Sequence, residues 1–289
     1  MTEQPSQTTS YSRIHVEPTA GPLGAEISGV DLAALDDATF AEIHSAWLEH
    51  QVVFFRDQRL SPDDQVAFSS RFGELEPYPF LAALDGHPNV IPIIKEKDTV
   101  MNFGGGWHSD MSYQAEPVMA TCLYAIEVPS SGGDTLFASM TAAYDALSPG
   151  MHRLLDGVQG VFTAAKVHGS AGLYDNADHP MKKATDTARA HARHLHPIVR
   201  THPETGRKGV YLDLPHVEKL EGMTVYESQP LMEFLYKHAT QDEFMTRFEW
   251  EPGTLAIWDN RCVQHYALND YAGSRREMNR VTIKGDVPF

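Results

Sequence analysis

Cysteine is scarce in this sequence, which holds only Cys122 and Cys262 among its 289 residues. Two cysteines cannot build a disulfide framework, and free thiols suit a reducing compartment such as the cytoplasm. Long apolar runs are missing too: no stretch approaches the length of a membrane span, and the polar first residues lack a signal-peptide core. We therefore expect a cytoplasmic protein with no membrane partner.

Basic residues are few relative to acidic ones. The chain has 23 lysines and arginines against 39 aspartates and glutamates, a formal net charge of -16. A surface with this balance repels polyphosphates, so nucleic acid is not expected as a partner. An anionic small molecule would need a local group of arginines to bind.

A His-x-Asp pair, His108 and Asp110, follows the glycines at residues 104–106. In an extended strand, residues i and i+2 project from the same face, so the imidazole and the carboxylate would point together. The best third ligand is His265, far downstream. Two histidines and one carboxylate around a metal with open positions suit a non-haem Fe(II) oxygenase. In a chain with 15 histidines, the pair can also be a satisfied polar pair on a strand or turn.

Residues 275–283 are predicted to form a strand that carries two inward-facing arginines. On such a strand Arg276, Met278 and Arg280 share one face, and Arg275 lies on the other. An unpaired charge buried in an apolar barrel costs several kcal/mol, so both inward arginines need anionic partners. Carboxylates of small molecules are the natural partners, which favours an anionic substrate.

Several motifs in order give the chain a family resemblance. They are GPLGAEISGVDL at residues 21–32, QVVFFRDQ at 51–58, GGDTL at 132–136 and the closing DVPF at 286–289. Together with the His-x-Asp pair, the distal histidine and the arginines, they cover nearly the whole chain. The sequence resembles the taurine dioxygenase/2,4-dichlorophenoxyacetate dioxygenase (TauD/TfdA) family of Fe(II)- and 2-oxoglutarate-dependent oxygenases.

The resemblance implies a role for individual residues. By position, the implied roles are metal ligand for His108, Asp110 and His265, 2-oxoglutarate binding for Thr135 and Arg276, and substrate-anion binding for Arg280. The implied reaction uses 2-oxoglutarate and O2 to hydroxylate a C–H of a small organic acid, and releases succinate and CO2. Dimers and tetramers occur in the family, so a homo-oligomer is compatible with the sequence, although no stretch identifies an interface.

The residues implied to contact substrate argue against taurine. Where taurine-oxidising members carry a histidine, a tyrosine and an asparagine, this chain has Tyr78, Leu81 and Gly104. These exchanges remove polar groups suited to a small aminosulfonate and favour a larger, more apolar carboxylate, sulfonate or sulfate ester. His216, near a position that is aromatic in the sulfonate enzymes, could bind a second polar group or be exposed. Without the resemblance, the loop at 74–81 would be interpreted as a rigid surface connection.

Hydrophobic periodicity and turn residues predict a mainly β protein with helices. Helices are expected at residues 36–50, capped by Asp37, at 61–72, 141–147 and 149–155, and at 228–238 with Leu231, Phe234 and Leu235 on the inner face. Many short strands with glycine turns favour a single domain at 13–289 after a flexible tail at 1–12. Its expected architecture is a double-stranded β-helix (jelly-roll) barrel flanked by α-helices.

Residues 165–196 form the least regular segment, and we expect them to be a lid over the metal. The histidines in this segment are His191, His194 and His196. They lie in a charged stretch without a carboxylate at ligand spacing, which predicts a solvated run rather than a metal site.

Two other functions can use the same residues. The triad could hold Zn2+ and activate water in a hydrolase, or the barrel could be a non-catalytic dicarboxylate-binding protein. The hydrolase leaves Arg276 and Arg280 unexplained, and the binding protein makes the complete metal triad superfluous. Turnover that requires both 2-oxoglutarate and O2 would exclude both alternatives.

Overall fold

The computed structural model describes residues 11–169, 172–173 and 187–289. The expected tail at 1–12 lies outside this part except for Tyr11 and Ser12, whose hydroxyls donate hydrogen bonds to Glu49 and Glu42. Much of the expected lid also lies outside the described residues. No helix of the described part is long and apolar enough to cross a bilayer.

Strands outnumber helices among the described residues. The strands are β1 (His15–Pro18), β2 (Ala25–Ser28), β3 (Val52–Phe55), β4 (Ile91–Lys95), β5 (Ala120–Glu127), β6 (Thr135–Ser139), β7 (Gln159–Phe162), β8 (His194–Pro197), β9 (Val199–Thr201), β10 (Lys208–Val210), β11 (Val217–Leu220), β12 (Met245–Phe248), β13 (Leu255–Asp259), β14 (Val263–Ala267) and β15 (Arg276–Ile283). The helices are α1 (Asp37–His50), α2 (Pro62–Ser70), α3 (Met140–Asp145), α4 (Pro149–Leu155), α5 (Ala165–His168), α6 (Thr187–Ala190) and α7 (Val225–Ala239). The protein is therefore mainly β with helices, as predicted.

A seven-stranded sheet with the order β1-β2-β3-β13-β5-β15-β4 is the largest element of the fold. It faces the three-stranded sheet β12-β6-β14: Phe54 of β3 stacks on Phe248 of β12 with ring centroids 3.7 Å apart, and Phe137 of β6 packs against Trp258 of β13 at 5.6 Å. The space between these two sheets holds the functional site.

The other face of the large sheet is covered by α1 and α2. Phe55 follows Phe54 and therefore projects to the opposite face, where it packs edge-on against Phe68 of α2 with ring centroids 5.8 Å apart. Because β3 is buried on both faces, its sequence is continuously apolar rather than alternating. The remaining sheets are β11-β7-β8 and the β9-β10 hairpin.

Helix ends and faces depart from the sequence prediction at two points. The cap of α1 is Asp36, whose carboxylate accepts from the Thr39 N–H at 2.7 Å, and not the expected Asp37. In α7 the expected inner residue Phe234 is 46% exposed, because Met232, Leu235 and Ala239, spaced at three and four residues, form the buried face.

The described ends of the expected lid are regular rather than irregular, since α5, α6 and β8 lie within residues 165–196. The prediction of a solvated histidine run is wrong at His196, which is buried and donates from Nε2 to the Gln114 carbonyl at 2.7 Å. Burial lowers the pKa of His196 to about 4, so this imidazole is neutral. In the described part of the chain, the histidines of this segment do not form a metal-ligand group.

Candidate metal centre and its two cavities

His108 and Asp110 do not lie on a strand, which corrects the sequence prediction. His108 forms an isolated bridge with His265 of β14: each residue's N–H donates to the other's carbonyl, at 3.1 and 2.9 Å. Asp110 then begins a turn in which Met111 has a left-handed φ of 51°. A backbone bridge and a tight turn, rather than strand alternation, bring the three side chains together.

The ligand atoms of His108, Asp110 and His265 lie within 4.8 Å of one another. His108 Nε2 is 3.7 Å from Asp110 Oδ1, and His265 Nε2 is 3.9 Å from Asp110 Oδ2. Asp110 and His265 are buried, and the His108 side chain is 12% exposed. The group is thus compact enough to place one cation between two imidazoles and a carboxylate.

The protonation states of the triad suit a metal. Burial, followed by the neighbouring His108, lowers the pKa of His265 to about 3, and burial also lowers the pKa of His108. Although burial opposes ionisation, Arg280 and the two histidines lower the pKa of Asp110 to about 2. His108 Nδ1 donates to the Gly106 carbonyl at 2.8 Å, which leaves the lone pair on Nε2. Neutral imidazoles and an ionised carboxylate are the forms that bind divalent metals.

A second cluster of potential ligands, His202, Asp259 and Cys262, lies elsewhere in the core. Asp259 is already occupied: Arg261 donates to both of its oxygens, at 2.8 and 2.6 Å, and His202 donates to Oδ2 at 2.9 Å. Burial raises the pKa of the Cys262 thiol well above its usual value, so the thiol stays protonated. This cluster is a buried ion pair with no free carboxylate for a metal.

A small cavity of about 40 Å³ joins the triad to Arg276 and Thr135. Arg276 is 6% exposed, and its Nε and Nη2 have no hydrogen-bond partner among the described residues. Burial lowers the pKa of its guanidinium. Thr135 Oγ1 accepts from Trp250 Nε1 at 2.9 Å, so the threonine's own O–H is available to donate. An unpaired buried cation beside a free hydroxyl donor is an arrangement that binds a carboxylate.

Arg280 lies on the same face of β15 as Arg276, four residues along the strand, and contacts the triad. Its Nη2 is 3.0 Å from Asp110 Oδ1, and its guanidinium lies 4.8 Å from the centre of the Tyr78 ring. Arg275, in contrast, pairs with Glu96 and Glu127 on the outside, so it faces away as predicted from the strand. The two inward arginines therefore line the region around the triad.

A second cavity, of about 60 Å³, also borders His108 and Asp110 and is mostly apolar. Its lining includes Tyr78, Phe103, Gly104, Tyr113, His168 and His216. Tyr78 is buried, with its hydroxyl 3.0 Å from His168 Nε2. Gly104 has a φ of 77°, and a Cβ there would lie 3.3 Å from His108 Cε1, so the position has no room for a polar side chain.

Leu81 and His216 are placed differently by the structure. Leu81 lines neither cavity and packs against the cluster of Phe80 and its neighbours, so its contact with a substrate stays a prediction. His216 is buried rather than exposed, and its Nδ1 lies 2.9 Å from Asp213 Oδ1. Asp213 also accepts from the Ser112 hydroxyl at 2.7 Å, so the imidazole is held in place at the cavity wall.

Sequence reasoning missed three residues of the second cavity and its support, namely Tyr113, His168 and Asp213. Tyr113 comes three residues after the His-x-Asp pair, and this proximity was the one available signal. His168 reaches the cavity from α5, and Asp213 acts through His216. Their convergence depends on long-range packing that no local pattern records.

Comparison with known proteins agrees with this geometry. The model of the taurine catabolism dioxygenase TauD, TfdA family matches residues 15–282. The alpha-ketoglutarate-dependent sulfate ester dioxygenase of Pseudomonas putida is 35% identical, over 95% of this chain and 91% of that protein. The (S)-phenoxypropionate/alpha-ketoglutarate dioxygenase of Sphingobium herbicidovorans is 32% identical, over 94% of this chain and 95% of that protein.

A solved structure shows the same fold. The crystal structure of a taurine dioxygenase from Burkholderia xenovorans superposes with a TM-score of 0.81 and 36% sequence identity, covering 96% of this chain and 93% of that chain. Alpha-ketoglutarate is another name for 2-oxoglutarate. The chain therefore belongs to the TauD/TfdA family, and it is a 2-oxoglutarate-dependent dioxygenase.

Proposed function

We propose that Fe(II), held by His108, Asp110 and His265, is the metal of this enzyme, and that the substrate is a small organic anion with an apolar body. The donor set supports Fe(II), since two imidazoles and one carboxylate with open positions suit non-haem iron. With 2-oxoglutarate and O2, such a centre supplies the hydroxylation of a C–H bond and releases succinate and CO2. The family membership decides against the zinc hydrolase and the non-catalytic binding protein.

The observation that carries this proposal is the buried Arg276, whose Nε and Nη2 have no hydrogen-bond partner among the described residues, in the cavity that it shares with the triad. Arg276 would bind the distal carboxylate of 2-oxoglutarate through two parallel N–H···O hydrogen bonds (a bidentate ion pair). The Thr135 hydroxyl would donate to the same carboxylate. The rest of the 2-oxoglutarate molecule then lies beside the metal ligands, which line the same cavity. A second carboxylate-sized anion would use Arg280.

The second cavity supports a substrate class. Its walls are mainly aromatic and apolar, with His216 among its polar residues. Arg280 lines the first cavity, and its guanidinium lies over the ring of Tyr78, which belongs to the wall of the second. Such walls fit an alkyl or aryl body whose anionic end approaches Arg280. Relatives that act on sulfate esters and phenoxypropionate have substrates of this kind. We therefore propose an alkyl sulfate or aryloxyalkanoate in preference to taurine, since the described residues that line this cavity offer no free carboxylate to the taurine ammonium group.

The fate of the product follows from the position of the oxidised carbon. If the new hydroxyl lies on the carbon that bears the ester or ether oxygen, the product is a hemiacetal-like adduct. Its C–O bond breaks, the hydroxyl loses its proton, and a carbonyl compound and the free sulfate or phenol are released. Measuring sulfate or phenol would thus report turnover directly.

The proposed architecture is that of a double-stranded jelly-roll barrel. The support is the face-to-face packing of the seven-stranded sheet on the β12-β6-β14 sheet, with the triad and both arginines between them. β14 carries His265 on one sheet, and β15 carries the arginines on the other.

The proposal is tested by succinate formation under air with the Fe(II)-loaded enzyme and a panel of alkyl sulfates, aryloxyalkanoates, sulfonates and simple carboxylates. We expect succinate to rise with an alkyl sulfate or an aryloxyalkanoate and not with taurine. If taurine raises succinate as strongly as the best apolar anion, the proposed substrate class is wrong. Replacing Fe(II) with Zn2+ serves as the control and should give no succinate.

Tyr113 is predicted to limit the length of the substrate. It lines both the second cavity and a larger one of about 410 Å³ bordered by Phe80 and Gln114. We expect Tyr113→Ala to join the second cavity to this larger one. The variant should then have a higher kcat/KM for longer homologues of the active anion, by roughly fourfold per additional buried methylene. Tyr113→Phe keeps the ring and should retain the wild-type chain-length profile. Identical profiles for the Ala variant and the wild type would contradict this role.

A further inference from the structure

Asn260 lies in the turn between β13 and β14, next to the metal triad but outside it, and is 1% exposed. Its Oδ1 accepts from the Asp110 backbone N–H at 3.1 Å and from Trp258 Nε1 at 3.0 Å. Its Nδ2 donates to Thr121 Oγ1 at 3.0 Å. The Asn260 amide therefore connects the backbone of Asp110, the indole of Trp258 and the hydroxyl of Thr121.

Thr121 carries the connection to the metal-ligand carboxylate. Because its oxygen accepts from Asn260, its hydroxyl hydrogen is directed to Asp110 Oδ2, at 2.6 Å. The orientation of the amide is fixed by chemistry, since both groups at Oδ1 can only donate. Asp110 is thus held through its backbone by Asn260 and through its carboxylate by Thr121 at Oδ2, in addition to the Arg280 contact at Oδ1.

Trp258 connects Asn260 to a second metal ligand, His265. Its ring packs against the His265 imidazole with centroids 4.6 Å apart, while its indole N–H is bound by Asn260. His265 Nδ1 is buried and has no hydrogen-bond partner in the described part of the chain. Metal-binding histidines usually have their second nitrogen oriented by a hydrogen bond. Here ring packing takes over that function, so the position of Trp258 sets the orientation of His265.

The turn itself cannot relax easily. The Asn260 N–H donates to the Met119 carbonyl at 2.8 Å, and its neighbour Asp259 is clamped by Arg261 through both oxygens. Thr121 and Trp258 are directly opposite each other in the β5–β13 pair. These constraints place the amide against Asp110 before any ligand binds.

We propose that Asn260, acting through Thr121 and Trp258, is a positioning residue that presets Asp110 and His265 for the metal. The inference rests on the metal site of the proposed function. Loss of the hydroxyl at position 121 removes the hydrogen bond to Asp110 Oδ2 and leaves Arg280 at Oδ1 to hold the carboxylate. Loss of the Asn260 amide removes the contacts with the Asp110 backbone, Thr121 and Trp258. The cost appears as weaker metal binding, of about 10- to 100-fold, the range for removal of such supporting hydrogen bonds.

The test measures the affinity for Mn(II), used as a probe, from the electron paramagnetic resonance signal of the free ion, without 2-oxoglutarate or substrate. We expect Thr121→Val and Asn260→Ala to bind Mn(II) about 10- to 100-fold more weakly than the wild type. Thr121→Ser keeps the hydroxyl and should restore tight binding. The Tm of each metal-free variant checks that it is folded. If Asn260→Ala does not fold, the Mn(II) affinities of Thr121→Val and Thr121→Ser decide whether the Thr121 hydroxyl positions Asp110.

Two failures are distinguishable in this experiment. If His265→Ala binds Mn(II) as tightly as the wild type, the metal site of the proposed function is misplaced. If His265→Ala loses Mn(II) but Thr121→Val binds it like the wild type, the site is correct and the positioning role is wrong. Equal weakening in Thr121→Val and Thr121→Ser would also overturn the role, because it would show that the hydroxyl is not the group that acts.

Discussion

Replacing His108, Asp110 or His265 with alanine is expected to reduce succinate formation to the level of the metal-free protein. Each side chain supplies one ligand atom to a group that spans less than 4.8 Å, and the cavity offers no fourth histidine or carboxylate among its lining residues. A site with two protein ligands should lose the metal and, with it, the position of 2-oxoglutarate. Turnover is measured at saturating Fe(II), 2-oxoglutarate and substrate.

The matched control for the triad is His191→Ala. His191 is exposed and does not belong to the triad, so its replacement should leave turnover intact. Full activity in any one of the three triad variants would mean that the metal lies elsewhere.

Arg276→Ala is expected to raise the 2-oxoglutarate concentration needed for half-maximal turnover by roughly two to four orders of magnitude. Removing one partner of a buried ion pair costs about 3–5 kcal/mol, and each 1.36 kcal/mol is about tenfold. The substrate concentration needed should change far less. Arg280→Ala should show the reverse pattern, because the Arg280 guanidinium lies between Asp110 and the ring of Tyr78, which lines the proposed substrate cavity.

Two controls accompany the arginine pair. Arg276→Lys keeps the charge but loses the two-pronged geometry, so its defect should be intermediate. Arg275 faces outward and pairs with surface glutamates, so Arg275→Ala should have a small effect. Equal effects of Arg276→Ala and Arg280→Ala on both concentrations would contradict the division between 2-oxoglutarate and substrate.

Stability should not confound the Arg276 result. The guanidinium is buried without a hydrogen-bonding partner at Nε and Nη2 among the described residues, and burial lowers its pKa. Such a group destabilises the ligand-free fold, because its charged form is disfavoured there. We therefore expect the Tm of ligand-free Arg276→Ala to be no lower than that of the wild type.

Local patterns predicted those parts of the site that lie on one continuous strand. The inward face of β15 follows from alternation alone, which is why Arg276 and Arg280 could be placed together and Arg275 apart. The helix expected at residues 61–72 begins where it was predicted, because Ser61 caps α2 and Pro62 follows at its first position, which is a local signal.

For other parts of the site, the sequence predicted the wrong local structure or gave no prediction. His108 and Asp110 converge through a bridge to His265 and a turn with a left-handed Met111, neither of which a His-x-Asp spacing reveals. Asn260 and Thr121 are 139 residues apart in sequence. Asp213 and His216 are only three residues apart, but their contacts with Ser112 join them to a distant segment of the chain. Local patterns do not predict such long-range contacts.

The most direct test of the account is turnover of the active anion under 18O2, with mass analysis of the succinate. A dioxygenase that uses 2-oxoglutarate at this triad places one oxygen atom of O2 in each succinate. We expect singly labelled succinate in equal amount to the product, and no labelled succinate from the Asp110→Ala variant. Two results would contradict 2-oxoglutarate-dependent oxygenation at this triad. One is product formation in the absence of O2, and the other is product formation without consumption of 2-oxoglutarate.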